Sequence, residues 1–218
     1  MRMAIVESIE QQWAEMDRVM TPDVRSIAKK YFTEIKTHPK EKILGCCEEL
    51  LETRKWELQV IAFQWAFKLK KSYVEEDFEI FERWLDLYVD GWGACDDLCT
   101  HALGELVFQY PEPVERVGGW TSSDNMWKRH AAAVTMLYSV HRGKHLDHVF
   151  HIADSLLHDE EELVQNGYGW MLKVASVPYR QEVYDYVIRN KTTMPRTSLR
   201  YAIEKMPEQM RKKAMEKN

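Results

Sequence analysis

Glycine and proline are scarce in this chain, at 9 and 7 of 218 residues. They are too few for a turn-rich β-sandwich or barrel, and Val, Ile and Thr form no sustained alternating run, so a sheet-based fold is not expected. No stretch reaches the length of an apolar membrane-spanning segment, and no membrane partner is expected. Met1-Arg2-Met3 leads directly into Glu7, Glu10 and Glu15 with no apolar core between, which argues against a secretory leader. Cysteine is limited to four residues. Adjacent Cys46-Cys47 and the i, i+4 pair Cys95/Cys99 do not form a disulfide framework, and a reducing cytoplasmic setting is the expectation. Cys95, Cys99 and His101 lack a second ligand pair at familiar spacing, so neither metal nor cofactor is expected. An excess of basic residues is missing too, since the net charge is −5. Residues 1–109 carry 14 basic and 21 acidic side chains, a balance of −7. Residues 110–218 carry 16 and 14, a balance of +2. A nucleic-acid surface, if present, is therefore local and favoured in the second half.

What the chain has in quantity is helical periodicity. Ile43, Leu44, Cys47, Leu50 and Leu51 form one apolar stripe, and Phe78, Phe81, Trp84, Leu85 and Tyr88 form another. The run from Leu58 to Leu69 is apolar on both faces. Thr21-Pro22-Asp23 and Ser122-Ser123-Asp124 supply candidate helix starts, and the carboxylates of Asp159 to Glu162 suit a first turn. Stops are expected at Pro39, Pro111, Gly118-Gly119 and Pro178, and Met194-Pro195 restarts the chain for a final helix. About ten to thirteen helices result by this pattern. The last runs from Thr197 to Lys205, with a frayed tail from Arg211. Nothing marks a linker, and residues 1–218 are expected to form a single domain.

Four tryptophans, Trp56, Trp92, Trp127 and Trp170, recur at intervals of 36, 35 and 43 residues. In an all-helical chain this period points to stacked antiparallel helix pairs, a curved solenoid with the tryptophans along one concave groove. Trp92 and Asp96 are one helical turn apart, with Cβ atoms about 5–6 Å from each other. An indole beside a carboxylate is a receptor for a cation. The same spacing equally fits a core tryptophan beside a solvated aspartate. In Gly167-Tyr168-Gly169-Trp170, two glycines inside a helix each cost about 1 kcal/mol relative to alanine. Their presence implies close approach, either by another helix or by a ligand.

These segments together resemble the DNA alkylation repair enzymes of the AlkD type, DNA glycosylases built from HEAT-like repeats. The matching pieces are Trp92-Gly93-Ala94-Cys95-Asp96, then Leu103-Gly104. Trp120 to Trp127, Gly169-Trp170-Met171-Leu172, and Arg200-Tyr201-Ala202-Ile203-Glu204-Lys205 complete them. The resemblance runs from Thr21 to about Lys205. It implies excision of cationic alkylated purines, 3-methyladenine and 7-methylguanine, from double-stranded DNA by hydrolysis of the N-glycosidic bond; no cofactor is expected, and a groove-shaped monomer is the default. Asp96, Trp92 and Trp170 fall on the family's catalytic positions. Trp127, Arg129, His130, Lys173 and Arg200 fall on or beside segments expected to meet DNA. One position departs from the family: where a Trp-x-x-Arg pattern is expected, the chain reads Trp127-Lys128-Arg129-His130. His130 can donate to a phosphate or be an ordinary packed histidine, and it lacks the fixed charge and fork of arginine. The alternative function is a non-catalytic HEAT-like scaffold that binds DNA or protein.

Overall fold

The computed structural model describes residues 2–14, 16 and 18–216, with side chains from Ile5 onward. Among them every regular element is helical, as the sequence implies. The α-helices are α1 (Arg2–Trp13), α2 (Thr21–Ile35), α3 (Lys40–Glu52), α4 (Trp56–Lys68), α5 (Asp77–Tyr88), α6 (Trp92–Asp97) and α7 (Gly104–Gln109). They continue with α8 (Glu112–Gly119), α9 (Met126–Val140), α10 (Leu146–Ser155), α11 (Glu162–Ala175), α12 (Arg180–Asn190), α13 (Arg196–Ile203) and α14 (Glu208–Met215). A π-helical stretch, Leu98–Leu103, lies between α6 and α7. The chain forms two compact units, the first ending at Ala102 and the second beginning at Leu103.

In the first unit α4 packs against α2 and α6, and α3 packs against α1 and α5. Even-numbered helices thus form one row and odd-numbered helices a second, joined where α3 lies on α4. In the second unit the row is α7, α9, α11 and α13, each packed on the next, while α10 meets α8 and α12 meets α14. This is the packing expected of antiparallel pairs stacked in sequence. Three of the periodic tryptophans sit at helix starts: Trp56 opens α4, Trp92 opens α6, and Trp127 is the second residue of α9. Trp170 departs from that rule and lies in the third turn of α11. None of the four is buried, whereas Trp65, Trp84 and Trp120, which do not share the period, are. The period therefore marks surface positions on one row of helices in each unit.

Local signals shift at two helix starts. Met20, not Thr21, is the residue before α2, and its backbone N–H donates to Asp23 Oδ2 at 3.1 Å. Asn125, not the Ser122-Ser123-Asp124 run, caps α9 by accepting from the Trp127 N–H at 2.9 Å. Through Met215 the basic tail is a helix rather than a frayed end: Ala214 of α14 is buried, and the helix packs against α12 and α13.

Both glycines of α11 are required by helix packing. A Cβ on Gly167 would stand 2.6 Å from His130 Nδ1 on α9. A Cβ on Gly169 would stand 2.9 Å from Ser198 Cα and 3.0 Å from Tyr201 Cβ on α13. Ser198 also donates to the Gln165 carbonyl at 2.9 Å, so α13 cannot retreat freely. Gly169→Ala is expected to destabilise. Overpacking against backbone costs roughly 1–3 kcal/mol and outweighs the ~1 kcal/mol gained in helix propensity. A thermal melt should move down by several degrees; an unchanged or raised midpoint would show that α11 and α13 can separate cheaply.

Candidate functional site

A cleft of about 550 Å³ opens in the first unit, on the row formed by α2, α4 and α6. Gly91, in extended conformation, ends the preceding loop and lets α6 begin with Trp92, whose indole is 65% exposed. One turn on, Asp96 lines the same cleft and is partly exposed. The i, i+4 spacing thus has the consequence predicted for it: an indole and a carboxylate stand on one open face, and Trp92 is not a core residue. The core contact of this turn is made instead by Cys95, which is fully buried and hydrogen-bonded to Cys99. The hydrogen bond with Cys99, and burial after it, hold the Cys95 thiol well above its ordinary pKa, so it is an inert packing group.

Asp97 adds a second carboxylate. Its Oδ1 lies 3.4 Å from both Arg25 Nη2 on α2 and His101 Nδ1. Its Oδ2 is buried and accepts no hydrogen bond. Burial raises the Asp97 pKa above the ordinary value, His101 and Arg25 oppose the rise, and Asp96 adds to it. The π-helical stretch follows at once. There Thr100 Oγ1 donates to the Asp96 carbonyl at 2.6 Å and His101 Nδ1 donates to the Asp97 carbonyl at 3.0 Å. Side chains so placed fix the backbone under both carboxylates. Wide turns of this kind are frequent at functional sites. Trp56, Arg25 and Gln59 also line the cleft, and Gln59 is pinned through a hydrogen bond to the Tyr88 carbonyl.

In the second unit, Trp170 and Lys173 project from α11 and are partly exposed. Lys173 Nζ donates to Glu204 Oε2 at 2.7 Å and lies 5.6 Å from the centre of the Tyr201 ring. Lys173 in turn lowers the Glu204 pKa. Tyr201, packed over Gly169, is an exposed aromatic beside this pair that the sequence offered only within a matching segment. Arg200 is exposed and borders a groove of about 420 Å³ with Arg211 and Lys212. Trp127 is partly exposed at the start of α9.

Two neighbours of Trp127 are committed to the fold. His130 is only 4% exposed, and its Nδ1 donates to the Leu163 carbonyl at 2.9 Å. It is a packed histidine, the second of the two roles open to it in the sequence. Arg129 donates through Nε and Nη2 to the two oxygens of Asp159, at 2.6 and 3.3 Å, and through Nη1 to the carbonyls of Ser123 and Asp124. The bond to Asp159 raises its pKa. Its guanidinium clamps the start of α9 to the start of α11, with little donor capacity left for a phosphate.

Among solved structures, a predicted DNA alkylation repair enzyme from Enterococcus faecalis superposes on this chain with a TM-score of 0.74 at 17% sequence identity, covering 95% of each chain. At that identity the likeness is one of fold. No curated protein matches the sequence. The family profile described as DNA alkylation repair enzyme matches residues 15–206, a span that includes the Trp92–Asp96 cleft and the Trp170 face. With the all-helical paired architecture and with both sets of matching residues at the surface, the chain belongs to the DNA alkylation repair enzyme family.

Proposed function

We propose that the protein is a DNA glycosylase that hydrolyses the N-glycosidic bond of cationic alkylated purines such as 3-methyladenine and 7-methylguanine. The observation that carries this is the exposed Trp92 indole and the Asp96 carboxylate on one turn of α6, lining one cleft. In the departing reaction the base is already cationic and leaves without strong acid catalysis. Positive charge builds on the sugar, and a fixed carboxylate stabilises it and orients the attacking water. The Trp92 face stabilises the same charge by cation–π contact. Trp170 is a further aromatic contact for the DNA, and Trp127, Lys173 and Arg200 contact the duplex. His130 and Arg129 act by packing α9 against α11 rather than by touching DNA. The protein works as a monomer in the cytoplasm, without a cofactor.

Lys173 reaches a phosphate only by leaving Glu204. Glu204→Gln is therefore expected to raise affinity for duplex DNA a few-fold and to steepen its salt dependence by roughly one ion. Binding curves at several salt concentrations check this, and identical slopes would remove Lys173 from the DNA contact.

A second reading, a non-catalytic DNA-binding scaffold, draws support from the engagement of His130 and Arg129 and from the acidic balance of the chain. Incubation with methylated duplex DNA separates the two. A glycosylase releases free 7-methylguanine and leaves abasic sites; a scaffold binds the duplex and releases nothing.

A further inference from the structure

We propose that Trp56 is the second aromatic face of the Trp92–Asp96 cleft, a substrate-contacting residue that recognises the positive charge of the alkylated nucleotide. The inference rests on the glycosylase reading and adds a residue to it.

Trp56 opens α4 as Trp92 opens α6, and the two helices pack directly on one another. Both indoles line the same cleft, 44% and 65% exposed. Packing does not account for Trp56. Helix α4 already buries Leu58, Ile61, Phe63 and Trp65, and Trp65 is fully enclosed with its Nε1 donating to the Ala28 carbonyl at 2.8 Å. The core role of a tryptophan in this helix is therefore filled by Trp65. A second indole held at the cleft lip, on a helix anchored beneath it, is preorganised to meet a flat ligand. The charge around it selects which ligand. Asp90, Asp96 and Asp97 line the cleft against Arg25 and His101, and both of these are already within reach of Asp97. A neutral purine gains only stacking there. A purine methylated at N7 or N3 gains stacking, cation–π attraction and the carboxylate field together. When the glycosidic bond breaks, its electron pair goes to the base, which becomes neutral. The cleft then loses its charge-based hold on the product, so the same residues that favour the substrate favour product release.

The test uses the full chain and compares wild type, Trp56→Ala and Trp56→Phe. Binding of 7-methylguanosine and of guanosine is measured by calorimetry in mildly acidic buffer, where the methylated base carries its charge. Wild type should bind the methylated nucleoside more tightly than guanosine. Trp56→Ala should weaken that binding by roughly 3- to 30-fold, the span of a cation–π contact from exposed to desolvated. Phenylalanine, which keeps a π face, should restore most of it. The kcat/KM for 7-methylguanine release from methylated duplex should fall by a similar factor in the alanine variant. Circular dichroism confirms that the exposed substitution leaves the fold intact. If the wild type releases no base but its preference for the methylated nucleoside is lost in Trp56→Ala, the glycosylase reading falls while Trp56 keeps its role. Equal binding and equal base release by wild type and Trp56→Ala overturn the role of Trp56 and leave the glycosylase reading standing. A wild type that fails to prefer the methylated nucleoside also overturns it.

Discussion

Asp96→Asn is expected to lower the rate of 7-methylguanine release by roughly 100- to 1,000-fold, the loss that follows removal of one preorganised charge from a reacting centre. The substitution keeps the shape of the side chain and removes its negative charge, and with it the group that stabilises the cationic sugar. Asp97 is not positioned to take over. It is about 100° further around the helix, and its Oδ1 is held between Arg25 and His101. Because Asp96 is partly exposed and its carbonyl, not its side chain, accepts from Thr100, the asparagine variant should fold as the wild type does. DNA binding should change little, since a carboxylate does not attract phosphates. Single-turnover assays with methylated duplex separate these effects. A rate within a few-fold of wild type would remove Asp96 from the chemistry.

Asp159→Ala is expected to cost about 3 kcal/mol of folding free energy, the low end for removing one partner of a buried ion pair. Asp159 accepts from Nε and Nη2 of Arg129, and the pair is largely buried, with side chains 18% and 7% exposed. The same carboxylate accepts from the Glu161 N–H at 3.0 Å, just ahead of α11. Its loss leaves a guanidinium without its counter-ion and removes the acceptor of the Glu161 N–H just ahead of the helix that bears Trp170 and Lys173. The low end applies because Arg129 retains the Ser123 and Asp124 carbonyls and some access to water. Urea denaturation should show the midpoint falling at constant slope. A variant as stable as wild type would mean that the clamp between α9 and α11 is energetically idle. The effect on base release should be indirect and smaller than that of Asp96→Asn.

Why some of this was legible in sequence and some was not follows from distance along the chain. The apolar stripes mark the helices because core burial repeats every turn, and the spaced tryptophans mark one row of helices in each unit, three of them at helix starts and Trp170 within its helix. Trp92 and Asp96 could be joined because one turn of helix is a local rule. The same locality explains Gly167 and Gly169 only halfway: their cost is visible in sequence, while His130 and Ser198, which impose it, lie on other helices. The partners that settle His130 and Arg129 lie 33 and 30 residues away, so a basic-looking segment turned out to be a packing joint. Asp97 and Arg25 are 72 residues apart. Trp56 could be seen as a member of the period but not as a wall of the Asp96 cleft, since that depends on how α4 lies on α6. At the caps, Met20 and Asn125 stand in place of Thr21 and the Ser122-Ser123-Asp124 run, Met20 through its N–H bond to Asp23 and Asn125 by accepting from the Trp127 N–H.

The most direct measurement is the quantity of free 7-methylguanine released from a methylated duplex by the wild-type chain and by Asp96→Asn in parallel. The account predicts enzyme-dependent release by wild type that is nearly abolished in the variant, with both proteins binding the duplex alike. No release above the spontaneous rate by wild type, while it still binds the duplex, would contradict it.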